Sequence, residues 1–316
     1  MRKIKTLTAI LVVLGTLILS LGCAALHPSR EAKIAQREYL VKTPQGIQIY
    51  VVGKRPSIEE PKGVVLLIPW VKSGSTLYNL PVKGYNLMDY LAKRGFAVYA
   101  VDHRSYGKSS KTSGLLVRGL TCAEDMKAVA DFIEELEGVK KVDVVALSFG
   151  TVVTVCLAGK YPEEIRRIVL MGYPCSTVNK KARKVVQKLI SLAESGKEFV
   201  PSRPETAKNL WYRYDPKVLA KFVEIVSKRT PRIPTGPFLD LRDWDAKRLL
   251  PRVKAPILFI YGDHENFADL EDTRKCFYAF PGEKKAYMLI GNASHGLVLE
   301  ESHDMVYRAI YGWLSN

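Results

Sequence analysis

An α/β protein, a mostly parallel sheet flanked by helices, is predicted by three observations. Short β-branched apolar runs recur at residues 64–68, 96–101, 142–147, 168–171 and 257–261, as suits strands buried on both faces. Helical patterns lie between them, as crossovers between parallel neighbours require. The 316 residues are 47% hydrophobic and 25% charged, an ordinary globular composition that excludes a disordered, fibrous or polytopic membrane chain.

Arg2, Lys3 and Lys5 precede an uncharged run over residues 6–26 that ends its most apolar part at Gly22 and Cys23. A positive region, an apolar region and a small residue before a processing point form a signal-peptide pattern. The string Leu19-Ser20-Leu21-Gly22-Cys23 resembles a bacterial lipobox, with Ser20 where Leu is usual. That resemblance implies a signal peptide over residues 1–22 and lipid attachment at Cys23. The alternative is a single N-terminal transmembrane anchor, since such a run can cross a hydrocarbon core roughly 30 Å thick at about 1.5 Å per residue. Both readings put the protein at a membrane of the cell envelope, and the positive residues before the apolar run put its body outside the cytoplasm. Residues 23–37 read as a polar tether.

The core begins as residues 38–174. Two alternating runs, 38–43 and 46–53, flank Pro44-Gln45-Gly46 and predict a hairpin. Helices follow at residues 84–94 and from Thr121, whose hydroxyl is expected to cap while Glu124 reaches back, with Met126, Val129, Ile133 and Leu136 on one stripe. A further helix is expected at residues 149–160. Residues 175–252 separate two strand candidates by far more than a crossover needs. This insertion holds helical pieces at 180–194, 204–212 and 216–228 and a Pro-rich segment at 230–237, and reads as a lid over the strands' carboxyl ends, where ligands bind in open α/β sheets. Residues 253–316 complete the core with a strand at 285–290 and a closing helix at 302–314, where Val306, Ile310 and Leu314 recur at helical spacing.

Lys and Arg outnumber Asp and Glu by 48 to 32, a net charge of +16, and the insertion alone carries 18 against 8. The charge is spread without a basic tail or recognition motif, so nucleic acid is not expected as a partner. A solvated face is the default reading of the insertion's charge, with anionic lipid or steering of an acidic substrate as alternatives. The five Cys form no C-x-x-C pair; no metal and no cofactor are required. Cys122, Cys156, Cys175 and Cys276 are open to pairing outside the cytoplasm, but Cys156, within a helix, reads as a buried free thiol, and a disulfide is not the favoured reading.

The chemistry gathers at Ser148. The strand 142–147 runs straight into Ser148-Phe149-Gly150 and then helical sequence, with Ala146 and Gly150 as small neighbours two residues either side. A serine on such a turn projects its hydroxyl above the sheet, while the first helical N–H groups face a developing oxyanion.

The chain resembles the α/β-hydrolase family from about residue 39 onward, which implies an eight-stranded, mostly parallel sheet with the lid inserted after the sixth strand. Asp102-His103-Arg104-Ser105-Tyr106-Gly107-Lys108-Ser109 is similar to the family's D-x-R-G-x-G-x-S turn, with Ser105 in place of a glycine; Asp102 and Arg104 are expected to order this loop. Ser148 stands in A-x-S-x-G where the family has G-x-S-x-G. Gly262-Asp263-His264-Glu265 is similar to the segment that delivers a triad acid, with Glu265 in register and Asp263 in reserve. Asp269 is a more distant candidate. Gly291-Asn292-Ala293-Ser294-His295-Gly296 resembles the terminal histidine loop. The resemblance implies a triad of Ser148, Glu265 and His295, and an oxyanion hole from the backbone N–H of Phe149 and of Val71 or Trp70, where Pro69-Trp70-Val71 replaces the usual H-G-x. Pro69 has no N–H to give.

The function implied is a serine hydrolase that cleaves a carboxylic ester, with a thioester or lipid-like acyl substrate within its range, through an acyl-enzyme on Ser148. An acyltransferase using the same triad and a non-catalytic envelope lipoprotein retaining the fold are the alternatives.

Overall fold

The computed structural model describes residues 33–57, 60–243 and 246–316. Cys23, the expected signal peptide and most of the tether lie outside the described residues. Among the described residues no helix is long and apolar enough to cross a membrane.

The chain opens on the expected hairpin, β1 (Ile34–Lys42) antiparallel to β2 (Gln48–Pro56). β1 starts earlier than the sequence suggested. Residues 34–37, read as tether, pair with residues 53–56 of β2, because the register continues past the alternating run. β3 (Gly63–Ile68), β4 (Phe96–Val101), β5 (Val142–Leu147), β6 (Ile165–Met171), β9 (Ile257–Gly262) and β10 (Lys285–Ile290) complete an eight-stranded sheet in the order β1-β2-β4-β3-β5-β6-β9-β10. β2 meets β4 antiparallel, and every later pairing is parallel.

Apolar runs become central strands because both faces are covered. β3 sends Val64, Leu66 and Ile68 to one core cluster and Val65 and Leu67 to the other. The first cluster includes α2 (Gly119–Glu137), α3 (Phe149–Lys160) and residues of α8 (Leu270–Ala279); the second includes α1 (Leu87–Ala92) and α9 (His303–Ser315). Met126, Val129 and Ile133 are buried as the stripe predicted, but Leu136 is 38% exposed at the helix end. The expected cap is also displaced. α2 begins at Gly119, whose N–H donates to Asp240 Oδ2 at 2.6 Å, while Arg118 Nε donates to Asp240 Oδ1 at 2.7 Å. A carboxylate distant in sequence thus replaces Thr121 as the partner of the first turn.

The insertion between β6 and β9 contains α4 (Lys180–Glu194), a 3-10 turn (Pro204–Leu210), α5 (Pro216–Arg229), α6 (Gly236–Asp243) and α7 (Ala246–Leu249). The Pro-rich segment contributes β8 (Arg232–Pro234), antiparallel to β7 (Phe199–Pro201). Cys175, at the start of the insertion, forms a disulfide with Cys276 of α8, with a Cα–Cα distance of 5.9 Å. This corrects the reading against a disulfide: the two residues are 101 apart in sequence, and only the adjacency of the β6 exit and α8 brings them together. Cys122 and Cys156 are free and buried.

The loop after β4 is held by buried charge. Arg104 Nε and Nη2 reach Asp125 Oδ2 and Oδ1 at 2.7 and 2.6 Å, and neither side chain is more than 7% exposed. Replacing Asp125 with Ala strands the guanidinium in the core and is expected to lower unfolding free energy by roughly 3–5 kcal/mol. Urea denaturation of Asp125→Ala against wild type measures it; a loss under 1 kcal/mol would mean the pair is dispensable.

Candidate active site

The centre of the sheet fixes where chemistry can occur. β3 leads on one side to β4 and on the other to β5, so the strand order reverses between β3 and β5, and the crevice beyond their carboxyl ends is the expected ligand position. Trp70 and Val71 follow β3 there, and Ser148 follows β5.

Ser148 adopts φ 55°, ψ −117°, a rare conformation for a residue with a side chain. Its N–H donates to Met171 O at 2.9 Å, tying the turn to the end of β6. Gly150 is required beside it: a Cβ there would lie 2.2 Å from Ile68 O. The absence of that carbon lets the start of α3 sit against the end of β3. Phe149 and Gly150 open the helix, so their N–H groups have no preceding turn to donate to.

His295 and Glu265 meet as the order of motifs predicted. His295 Nδ1 lies 2.9 Å from Glu265 Oε1, and both side chains are buried. The same Oε1 accepts N–H from Phe267 at 2.8 Å and Ala268 at 3.2 Å. Burial opposes the Glu265 charge, but His295 and the two amides outweigh it and hold the carboxyl below the ordinary glutamate range. Asp263 is exposed and its Oδ1 accepts Ala293 N–H at 3.2 Å, on the histidine loop but not on the imidazole. Asp269 caps α8 through Glu271 N–H and Asp272 N–H. Gly172 lies against the imidazole, where a Cβ would come within 2.8 Å of His295 Nδ1 and Cε1.

Ser148 and His295 open on one cavity of about 750 Å³, whose wall also includes Phe149, Trp70 and Val71. The structure therefore brings Ser148, His295 and the three oxyanion-hole candidates to one space, with Glu265 behind the histidine. The rest of the wall is chiefly apolar: Val152 of α3, Val185, Val186 and Leu189 of α4, and Phe238 and Leu241 of α6. Lys72 and Lys181 line it, and among the described residues no Asp or Glu does.

Several positioning residues were not singled out for these contacts from the sequence. His103 Nε2 lies 3.0 Å from Pro69 O. Burial pushes this histidine down to about 4, so it is neutral at pH 7 and donates its Nε2 proton to the carbonyl, fixing the turn at Trp70. Tyr106 Oη donates to Val71 O at 2.8 Å. Glu300, fully buried, accepts N–H from Ser294 and Gly296, each at 2.9 Å, and so braces both sides of His295. Asp102 accepts from Ser75 and Lys108 N–H and from Arg229 Nη2 at 2.8 Å, which fastens α5 to the core. Ser105 takes the left-handed backbone, φ 67°, that its family counterpart glycine would suit. The positive φ here follows from the D-x-R-G-x-G motif; the Glu300 contacts have no local signal. Asp131, Glu134 and Glu164 bring carboxylate oxygens within 4.8 Å of one another, but on α2 and before β6, at the amino end of the strands rather than at the cavity.

Comparison with known proteins agrees with this geometry. A family model described as serine aminopeptidase, S33, matches residues 59–302. The fold is similar to an esterase from Exiguobacterium antarcticum (16% identity, TM-score 0.70, covering 89% of this chain and 100% of that one). It is also similar to a malate-bound thermophilic esterase from Thermogutta terrifontis (19%, 0.66, 88% and 98%) and to a monoacylglycerol lipase from Paleococcus ferrophilus (21%, 0.63, 90% and 98%). No curated protein matches by sequence.

The depressed Glu265 ionisation has a sign that can be checked. Its folded value lies below the unfolded one, so the carboxylate adds stability above about pH 4.3, lost as pH falls through the folded value. Chemical denaturation between pH 7 and pH 3 should show wild type losing more stability than Glu265→Gln; parallel curves would show that the pairing contributes nothing.

Proposed function

The chain belongs to the serine aminopeptidase S33 family of α/β hydrolases, and on that premise we propose that it is a serine hydrolase cleaving carboxylic esters of apolar, lipid-like groups through an acyl-enzyme on Ser148. The observation that carries this reading is the single cavity onto which the strained Ser148 turn, the Glu265-bound His295 and the start of α3 all open.

In this reading Glu265 holds the Nδ1–H of His295, leaving Nε2 as the base. Nε2 takes the Ser148 hydroxyl proton as Oγ bonds to the acyl carbon, and the carbonyl electron pair moves onto oxygen. That charge faces the Phe149 amide and the amides of the Trp70–Val71 turn, dipoles already in place before reaction. When the tetrahedral adduct collapses, the carbon–oxygen bond to the alcohol breaks and Nε2 returns its proton to the leaving oxygen. Water then repeats the sequence on the acyl-enzyme, releasing the acid and restoring Ser148. Glu265 remains ionised throughout and stabilises the imidazolium.

The cavity wall supports an ester over a peptide with a free amino terminus. An α-ammonium would lie beside Lys72 and Lys181 with no carboxylate among the described wall residues to pair with, an unfavourable transfer from water. Side chains of α4 and α6 cover the apolar part of the cavity, and the insertion serves as its lid. The N-terminal segment supports attachment to a membrane through lipid on Cys23, with the catalytic body outside the cytoplasm.

Ser148→Ala should lower turnover of short-chain 4-nitrophenyl esters by about a thousandfold or more and abolish labelling by a fluorophosphonate; undiminished turnover sinks the reading. Mass spectrometry of the protein from membranes should find a diacylglyceryl-modified Cys23 as the first residue, and an intact Met1 would refute processing.

A further inference from the structure

The cavity wall has one feature that ester hydrolysis alone does not call for. Lys72 follows Val71 directly in the turn after β3, and lines the same cavity as Ser148 and His295. Its ammonium donates to Thr206 Oγ1 at 3.2 Å, a neutral partner on the 3-10 turn Pro204–Leu210. Glu205, next to that threonine, is exposed and acts on Lys72 only through space. Lys54, a more deeply buried lysine elsewhere, donates to Asp89 Oδ1 at 2.6 Å. Lys72 has no such carboxylate among the described residues.

An ammonium has three donors, so two remain after Thr206. Lys72 is half-buried, and taking a charge even partly out of water is unfavourable unless a partner of opposite sign is supplied; this burial pushes Lys72 below the ordinary lysine range, with Glu205 offsetting part of the effect. Among the described residues the cavity wall holds apolar and neutral polar side chains and cations, and no anion. The missing partner is then a group on the ligand. Lys181 of α4, an exposed residue, adds a second cation to the same wall.

We propose that Lys72 is the anion-recognition group of this cavity, and that the esters it takes carry a carboxylate or phosphate in addition to an apolar portion. The proposal rests on the serine-hydrolase reading above for its word ester, but not for the anion site itself. Lys72 acts as a specificity residue: it holds the charged end of the substrate while the apolar end lies against α4 and α6, and the scissile carbonyl is thereby set beside Ser148.

The test compares phenyl butyrate with three charged counterparts: 4-carboxyphenyl butyrate, 4-phosphonooxyphenyl butyrate, and monophenyl glutarate, which carries its carboxylate on the acyl side. Wild type should favour at least one charged ester over the neutral one by about ten- to a hundredfold in kcat/KM, the range of a charge-assisted hydrogen bond. The gain should lie chiefly in KM. In Lys72→Met and Lys72→Gln the charged-to-neutral ratio should fall to near one, while Lys72→Arg retains part of it. Which ester is favoured separates carboxylate from phosphate and acyl side from alcohol side.

A wild-type ratio near one overturns the proposal without recourse to any variant, as does a ratio unchanged by replacing Lys72. A binding arm separates this failure from that of the hydrolase reading. Trp70 and Trp211 line the cavity, so their fluorescence in Ser148→Ala reports occupancy. Decanoate or decyl phosphate should bind about tenfold or more tightly than decanol, and adding Lys72→Met should erase the difference. If wild type cleaves none of the esters, the hydrolase reading fails and this binding difference alone decides the anion site; equal binding of the three amphiphiles overturns it.

Discussion

The backbone turn at Ser148 is the constraint on which the rest of the structure depends. A residue with a side chain at φ 55°, ψ −117° stores about 1–3 kcal/mol of strain and persists only where its surroundings over-determine it. Here β5 is locked between β3 and β6, the Ser148 amide is held by Met171 O, and Gly150 lets α3 close onto Ile68. One extra methyl group at Gly150 would push the helix away from β3. The serine and the helix amides would then part from the Trp70–Val71 turn, which comes from a different strand.

Around that turn, buried carboxylates do for loops what ladders do for strands. Glu265 gathers Phe267, Ala268 and His295; Glu300 gathers Ser294 and Gly296; Asp102 gathers Ser75, Lys108 and Arg229. Buried backbone N–H groups need acceptors, and a carboxylate can satisfy several at once. The loops carrying His295 and the Trp70–Val71 turn are thus held by side chains as well as by the sheet. The insertion is fastened to this frame at separate points: the Cys175–Cys276 disulfide, Arg229 on Asp102, and Asp240 at the start of α2. Its position over the strand ends is set by these ties, so the apolar wall, Ser148 and His295 face one volume.

Much of this was legible in the sequence because it is local or periodic. The central strands are written as β-branched runs, α3 and α4 match their predicted spans, and the Ser148, Glu265 and His295 motifs stand in an order that one fold explains. Glu265 over Asp263 was favoured by register and is the residue found on the imidazole. What escaped was non-local. Thr121 offered a capping box, but Asp240, more than a hundred residues later, reached the helix start instead. Cys175 and Cys276 carried no spacing that marks a pair. Leu136 fitted the apolar stripe, yet lies near the end of α2, 38% exposed.

By itself, then, the sequence determined the central strands, α3 and α4, which serine stands at an elbow, and which acid and histidine complete its motif set, because periodicity and turn chemistry act over a few residues; α6, α8 and the β7–β8 pair were not legible in it. Only the tertiary structure decided that Lys72 is left, among the described residues, without a carboxylate in a largely apolar cavity, that Asp240 meets the start of α2, and that a disulfide ties the insertion to α8. Those outcomes depend on which side chains from distant segments share a volume, and burial and pairing are properties of that shared volume rather than of any stretch of chain.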